Sequence, residues 1–548
     1  MTASPRFWED APATRAEAHF GDRVVTCFVD RPPNADAMLR TAAVASPQGD
    51  AVVDGKIRIS HAELDGMSDA VAGGLMSRGV SKGDRVGLLA RNRWQFVVAL
   101  TGIVRAGAIA VPLSVRASAR EIEFILGDCG AGLTICDAEK AEILPDTVAR
   151  AVIDGPAGSS FEDLLAAAPT TTPPDLREED VAVILYTSGT TGTPKGAMLT
   201  HLNIVHSCLH YAHCFRLTAD DRLVMAVPAS HVTGLIVGIY APLAAGAAIV
   251  VMEKFDADAF LALATQERMT VTMLVPAMYN LCLLRADFAK HDLGAWRIGS
   301  FGGAPMPVAT IERLAKLLPN LDLIQAYGST ETTSPATIMP PGGQAAAPAS
   351  VGAPAPCADI RVMDAAGREV AAGESGELWI GGPMVVPGYW NLPDKTAESF
   401  HAGFWKSGDV GRFDENGLLY IHDRLKDMIN RGGYKVYSAE VENVLSFLPG
   451  VAEAAVVPRP DPVLGEKVHA FVHRSDPGLT EAALKAFCGE RLSDYKVPDF
   501  FTFTSEPLPR NANGKLMKQA LRDRVAEPNG PADRRQADRT SPGRSDRG

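Results

Sequence analysis

Between residues 185 and 201 the chain reads L-Y-T-S-G-T-T-G-T-P-K-G-A-M-L-T-H. Thr187, Ser188, Gly189, Thr190, Thr191, Gly192 and Thr193 crowd hydroxyls and glycines together, and Lys195 follows Pro194. Glycine lets backbone N–H groups turn toward an anion, hydroxyls add donors, and a lysine adds a point charge. That is the chemistry of a polyphosphate cradle. It departs from the P-loop, which needs a lysine directly after a glycine five positions beyond the first; Pro194 stands at that distance from Gly189. The bland alternative is a Ser/Thr/Gly linker. Against it stands the apolar, β-branched run 181–186 just ahead, which reads as a buried strand.

Two more loops follow strand-like runs: G-G-A-P (302–305) after 297–301, and G-S-T-E (328–331) after 321–327. Both would sit at the carboxyl ends of strands, where open α/β sheets bind ligands. The surrounding pattern supports such sheets. A strand at 85–90, a helix at 94–106 and a strand at 108–113 form a βαβ unit. Ser118 to Glu121 has capping-box spacing, opening a helix to 127, and 132–136 is a strand. A helix begins at 64 and ends at Gly79, residues 1–50 read as irregular, and a Pro/Thr-rich link spans 169–174. After the phosphate loop, strands at 222–227, 271–275, 297–301 and 321–327 alternate with helices at 257–267 and 308–318.

From 350 the pattern changes to short alternating strands (360–363, 377–380, 418–422), a β-rich subdomain. Beyond 424 comes an α+β region to 525, with helices at 439–448 and 481–491 and a strand at 452–458. The expected domains are 1–425, 426–525 and a disordered tail at 526–548, which is Pro/Gly/Arg/Asp-rich and without periodicity.

A chain of 548 residues is too long for one core. A net charge of −12 argues against a nucleic-acid footprint. Eight cysteines, at 27, 129, 136, 208, 214, 282, 357 and 488, show no CxxC or paired spacing, so thiols in cores and a cytoplasmic compartment are expected. No apolar leader opens the chain. The uncharged stretch 235–252 reaches the length of a membrane span, but Gly238, Pro242 and Gly246 interrupt it. A buried helix, a turn at 242–246 and a strand at 247–252 is the better parse, with no membrane span.

Taken in order, these loops resemble those of the AMP-forming adenylating enzymes: acyl-CoA synthetases, nonribosomal peptide synthetase adenylation domains and beetle luciferases. The likeness covers residues 40–525. It rests on Y-T-S-G-T-T-G-T-P-K-G (186–196), G-G-A-P (302–305), Q-A-Y-G-S-T-E (325–331), K-S-G-D-V-G (406–411), H-D-R-L-K-D-M-I-N-R-G-G-Y-K-V (422–436) and P-R-N-A-N-G-K (509–515). The resemblance implies an α/β fold: a large N-terminal domain of helix-covered parallel sheets plus a β-rich subdomain, followed by a small mobile α+β domain. It implies a ligase that joins a carboxylate to ATP as an acyl-adenylate, releases pyrophosphate and passes the acyl group to coenzyme A.

By the same resemblance, the 187–196 loop would hold the β- and γ-phosphates, and Glu331 with Thr190 would hold Mg²⁺. Locally, Ser329-Thr330-Glu331 also reads as a helix start with a first-turn acid. Gly303, Ala304, Pro305 and Tyr327 would frame the adenine, with Gly328 and Thr330 completing the nucleotide site. Asp409 would accept from the ribose hydroxyls, although G-D-V-G also reads as a turn. Arg424 would meet the ribose–phosphate region, or serve in a surface ion pair. Lys515 would act on the reacting carboxylate and α-phosphate, with a solvated lysine as its alternative. Lys426 would be the hinge, and Arg431, Gly432 and Gly433 would let the pantetheine arm of coenzyme A pass.

The acid pocket would lie around His231, Val232, Thr233, Gly234, Ile236, Ser300, Phe301, Gly302 and Thr333, with His231 as a gate and a structural histidine as its alternative. No lysine, arginine or aspartate is evident there to pair a second carboxylate or an amino group, which leaves fatty or aromatic monocarboxylates. The competing expectations are a free-standing adenylation enzyme loading a carrier protein, and an ADP-forming ATP enzyme. The expected partners are the carboxylic acid, ATP and coenzyme A, with a homodimer as the expected assembly.

Overall fold

The computed structural model describes residues 7–8, 10–169, 174–187, 194–510 and 516–526. The chain forms two units, one of Met1–Ser407 with Gly411–Ile421 and the other of Gly408–Val410 with His422–Gly548.

Two large sheets carry the first unit among the described residues. In the six-stranded sheet the spatial order is Lys195–Thr200, Val181–Thr187, Ile109–Pro112, Arg85–Leu89, Leu133–Asp137 and Ala149–Ile153. It is parallel except for the hairpin of Val181–Thr187 with Lys195–Thr200. In the nine-stranded sheet the order is Ala353–Pro354, Thr337–Ile338, Asp322–Tyr327, Ile298–Phe301, Val271–Leu274, Arg222–Met225, Ala248–Val251, Asp50–Asp54 and Ile57–Ser60. The middle strands are parallel and the edges antiparallel.

One apolar cluster holds residues from both sheets (Leu88, Ala110 and Val183; Val52, Met225 and Met273) and from the helices between them (Phe96, Leu100, Ile204, Tyr211 and Leu235). The helix Trp94–Arg105 is buried from Gln95 through Arg105, as expected of a helix that is apolar almost all round. The outer face of the nine-stranded sheet packs under the helices Ala257–Gln266, Pro276–Arg285 and Val308–Leu317. The β-rich part contributes Asp359–Met363, Gly376–Gly381, Phe400–His401, Phe404–Phe413 and Leu419–Arg424 to a third sheet. The second unit pairs Tyr434–Val436, Ile429–Arg431, Gly465–Arg474, Val451–Asp461 and Phe500–Thr504 around Ile429, Val441, Leu445, Val456, Val468 and Leu484.

The alternating α/β reading of the first unit agrees with these elements, and the differences have physical causes. Residues 14–45 are not irregular. A hairpin, Thr14–His19 with Arg23–Phe28, precedes the helix Ala35–Ala45, whose cap is Asn34 accepting from the Ala37 N–H at 2.8 Å. The first strand is largely exposed, so it lacks an apolar pattern. The strand read as 271–275 is followed at once by the helix Pro276–Arg285, whose first residue is a proline because the missing N–H costs nothing there. At 234–244 a π-helical segment, Gly234–Tyr240, runs into Ala241–Ala244, so the expected turn starts after Pro242 rather than at it. Among the described residues no helix is long and apolar enough to cross a membrane. All eight cysteines are free and buried. The expected tail lies, from 527 onward, outside the described residues.

Candidate active site

Parallel pairing sets Ile298–Phe301 beside Asp322–Tyr327, with Phe301 opposite Gln325. The loops that follow, 302–305 and 328–331, therefore leave the same edge of the sheet. Arg222–Met225 leads to the third loop, 227–234. Its two neighbours are Ala248–Val251 on one side and Val271–Leu274 on the other, so the strand order reverses at this strand. That reversal is the topological switch point at which open α/β sheets bind ligands.

A residue from the other sheet pins this loop. Asn92, just beyond Arg85–Leu89, is buried; its Nδ2 donates to the Val227 and Met252 carbonyls at 2.9 and 3.1 Å, and its Oδ1 accepts from the Ala229 N–H at 2.8 Å. Leaving such buried groups unpaired costs about 1–3 kcal/mol each. Sequence reading passed over Asn92 because R-N-R after a strand reads as solvated loop. Beyond the pinned segment, the His231 N–H donates to the Pro228 carbonyl at 3.1 Å, and the Thr233 N–H approaches His231 Nδ1 at 3.4 Å. His231 and Thr233 are half-buried, Val232 is buried, and Gly234 opens the π-helical segment; π turns recur at functional sites.

Strand alternation separates two residues expected to line the pocket. Ser300 Oγ donates to the Ile324 carbonyl at 2.9 Å. Phe301 is fully buried in the cluster of Phe260, Trp296 and Met306 under the outer helices. Phe301 is thus core, and its place in the expected lining is corrected. Gly302 follows, where a Cβ would stand 2.5 Å from the Ala326 carbonyl oxygen, and Gly303 has φ +76°. Gly303, Ala304 and Pro305 are exposed small residues, open to a ligand. Tyr327 and Gly328 are half-buried, and Thr330 and Glu331 are buried.

Glu331 lies in the 3-10 turn Thr330–Thr332, with Ser329 and Thr332 in a reciprocal capping arrangement. Its Oε1 accepts from Tyr389 Oη at 2.8 Å, and its Oε2 accepts from Ser329 Oγ. Among the described residues no cation lies within ion-pair distance of this carboxylate. Burial first, and then the Glu331 carboxylate, push the Tyr389 phenol well above its ordinary range, so it acts as a donor. Lys195 Nζ stands 5.1 Å from the centre of the Tyr389 ring. Lys195 and Thr187 face each other at the mouth of the hairpin. Ser188, Gly189, Thr190, Thr191 and Gly192 of the phosphate loop lie outside the described residues, as does Lys515.

In the second unit, Asp409 is buried in the strand Phe404–Phe413 rather than in a turn, with Arg424 Nε 3.3 Å away. Lys426 is exposed, and its carbonyl accepts from Arg522 at 2.7 Å. Arg431 pairs with Asp499 at 2.8 Å. Gly432 and Gly433, with φ +59° and +92°, are the two central residues of the hairpin joining Ile429–Arg431 to Tyr434–Val436. A two-residue hairpin with both φ positive favours glycine on its own account. Elsewhere in the first unit, Glu17, His19 and Cys27 bring ligand atoms within 4.8 Å of one another. There Arg31 bonds to both Glu17 oxygens and holds that carboxyl far below its usual range, so the cluster is already charge-neutralised.

Two family models match: the AMP-binding enzyme over residues 39–390, and the AMP-binding enzyme C-terminal domain over 440–515. A long-chain-fatty-acid–CoA ligase of Mycobacterium tuberculosis is 35% identical over 499 residues, covering 89% of this chain and 98% of its own. A feruloyl-CoA synthase of Amycolatopsis is 37% identical over 482 residues, covering 87% and 96%. The structure of o-succinylbenzoate CoA synthetase from Bacillus subtilis with its acyl-adenylate intermediate superposes with a TM-score of 0.80 at 30% identity, covering 90% of this chain and 99% of its own. Family models over residues 39–390 and 440–515, with relatives 35–37% identical over nearly nine-tenths of the chain, make it a member of the AMP-binding enzyme family, in its branch of AMP-forming acyl-CoA ligases.

Proposed function

We propose that this carboxylate–CoA ligase activates a fatty or aromatic monocarboxylic acid at the edge of the nine-stranded sheet, with the residue roles that follow. The observation that carries the reading is the meeting of Lys195, Tyr389 and Glu331, which joins the phosphate hairpin of one sheet to an acidic turn of the other. Two anions, the acid and ATP, must come together there, so positive charge has to be supplied and positioned. Lys195, Thr187 and the loop 188–192 hold the β- and γ-phosphates. Gly303, Ala304, Pro305, Tyr327, Gly328 and Thr330 frame the nucleotide, and Asp409 takes the ribose hydroxyls beside Arg424.

The chemistry of Glu331 fits Mg²⁺. It is a buried carboxylate whose two oxygens each accept one bond from a neutral hydroxyl, with no cation paired to it among the described residues. Glu331 and Thr190 would hold the ion, which when bound neutralises phosphate charge as the pyrophosphate leaves. Lys515 places charge on the reacting carboxylate and α-phosphate. The acyl-adenylate then passes its acyl group to coenzyme A by way of Arg431, Gly432 and Gly433 after rotation about Lys426. This scheme treats 1–425 and 426–525 as the domains that move.

His231 gates the acid pocket. Val232, Thr233, Gly234, Ser300 and Gly302 offer small, mostly uncharged surface, which favours a monocarboxylate over a dicarboxylic or amino acid. A cytoplasmic enzyme is consistent with eight reduced, buried thiols. A panel of carboxylic acids with ATP, Mg²⁺ and coenzyme A, read as AMP release, tests the reading. Release should appear with fatty or aromatic monocarboxylates and stay at background with dicarboxylates and amino acids; the reverse order would overturn the pocket assignment.

A further inference from the structure

The segment 383–390 ties three parts of the first unit together, and one side chain in it touches two groups of the proposed site. Asn203, fully buried, donates to the Pro383 and Val385 carbonyls at 2.7 and 3.1 Å. The Val386 N–H donates to the Glu331 carbonyl at 3.0 Å. The Met198 N–H donates to the Gly388 carbonyl at 3.1 Å, and the Trp390 N–H to the Gly196 carbonyl at 2.7 Å. The strap is therefore bonded to the helix His201–Cys214, to the turn carrying Glu331 and to the strand carrying Lys195. Tyr389 sits between the last two. It is 6% exposed, its Oη donates to Glu331, and its ring lies under Lys195 Nζ. Its own N–H donates to Thr396 Oγ1 at 3.0 Å, which fixes where the ring can go.

From this geometry we infer that Tyr389 is a positioning residue for the adenylation half-reaction, aiming Glu331 by its hydroxyl and keeping Lys195 from pairing with that carboxylate by the bulk of its ring. The physical need is plain. A buried carboxylate and a nearby ammonium attract strongly where the dielectric is low. A direct Lys195–Glu331 pair would satisfy both charges and withdraw them from the phosphates and the metal. The ring offers Lys195 a weaker, face-on attraction, and the hydroxyl fixes one Glu331 oxygen while leaving further lone pairs available. Tyr389 thus holds two opposite charges apart and ready.

The inference rests on the assignment of Glu331 to Mg²⁺, so the test separates the two. ATP binding without acid is measured by calorimetry across a Mg²⁺ series, alongside thermal unfolding, for the unaltered protein and for Glu331→Gln, Tyr389→Phe and Tyr389→Leu. Glu331→Gln should remove most of the Mg²⁺ dependence of ATP binding. Tyr389→Phe keeps the ring and loses the donor; it should raise the Mg²⁺ concentration for half-effect by about tenfold, as one hydrogen bond to a charged group would, and high Mg²⁺ should restore ATP affinity. Tyr389→Leu loses the face under Lys195 too, and should weaken ATP binding a further several-fold that Mg²⁺ does not restore. If Glu331→Gln shifts the Mg²⁺ dependence and neither Tyr389 variant does, Tyr389 is structural and the inference fails while the metal assignment stands. If Glu331→Gln itself leaves the dependence unchanged, the metal assignment fails first. A Tyr389→Phe protein that only melts earlier, with an unshifted Mg²⁺ midpoint, also overturns the positioning role.

Discussion

The two units hold their functional residues by different means. In the larger unit, Asn92 and Asn203 are buried amides that spend their hydrogen bonds on backbone carbonyls and an N–H at loop roots. Glu331 is fixed by two hydroxyls and a backbone bond. In the smaller unit the corresponding groups sit in ion pairs or an exposed turn: Asp409 with Arg424, Arg431 with Asp499, and the Gly432–Gly433 hairpin. Arg424 keeps 42% of its side-chain exposure, and such screened pairs are worth about 0–1 kcal/mol. The contrast suits the proposed division of labour. A cradle for ATP gains from rigidity, whereas groups that exchange one reaction partner for another must release their contacts cheaply.

The sharpest way to break the comparison uses Lys515. If the smaller unit contributes to only one half-reaction at a time, Lys515→Ala should slow adenylate formation by about 10³-fold, the scale of losing a charge aimed at the transition state. It should leave thioester formation from supplied acyl-AMP nearly unchanged, read by stopped-flow on each half separately. Equal loss in both would sink the two-state assignment.

Acid should test the larger unit next. The Phe28 N–H donates to His206 Nε2 and the Ala35 N–H to His201 Nδ1, so both imidazoles are held neutral. Burial lowers both to about 4, against about 6.5 unfolded. As pH falls below 6.5 the unfolded chain takes up these protons first. The stabilisation is thus whole above about pH 7 and lost progressively from 6.5 toward 4, by about 2 kcal/mol per histidine at pH 5. Among the described residues of the smaller unit, His469 is likewise lowered to about 4 by burial. Urea unfolding at pH 8 and pH 5 should show the larger loss for the larger unit; matching losses, or a flat profile, would contradict the burial argument.

The smallest effects come from the two glycine pairs. Gly302→Ala forces a Cβ against the Ala326 carbonyl oxygen at 2.5 Å, and should cost about 1–3 kcal/mol of stability together with a raised KM for ATP. At Gly433 a Cβ meets nothing within 4 Å, although φ is +92°. Gly433→Ala should therefore cost about 1 kcal/mol, from backbone conformation alone, and leave the KM for ATP unchanged. Thermal unfolding and initial rates check both.

Much of the frame was legible in sequence because it is local. The capping box at Ser118 and Glu121, the uniformly apolar helix at 94–105 and the strands that end in G-G-A-P and G-S-T-E each announce themselves within a short window. The hairpin at 14–28 did not, because its first strand is mostly exposed and carries no alternating apolar signal. The strand Phe404–Phe413 was hidden by Gly408, whose φ of +70° sits inside an otherwise extended run. Asp409 accordingly looked like a turn residue until the strand placed it.

The sequence by itself carried the family resemblance, and with it the reaction class, in the order of its motifs, together with the chemical types along the loops, since motif order needs no third dimension. Only the tertiary structure decided which of those residues meet. Ser300 and Phe301 are adjacent in the chain yet lie on opposite faces of a strand, so the Ser300 hydroxyl bonds to the Ile324 carbonyl of the next strand while the Phe301 ring packs with Phe260, Trp296 and Met306 under the outer helices. Asn92 and Tyr389 carry no motif of their own; they matter because a parallel sheet and a strap bring them against Ala229 and Glu331, 137 and 58 positions away. Periodicity is written in neighbours along the chain, whereas the aiming of a buried carboxylate depends on partners that only packing supplies.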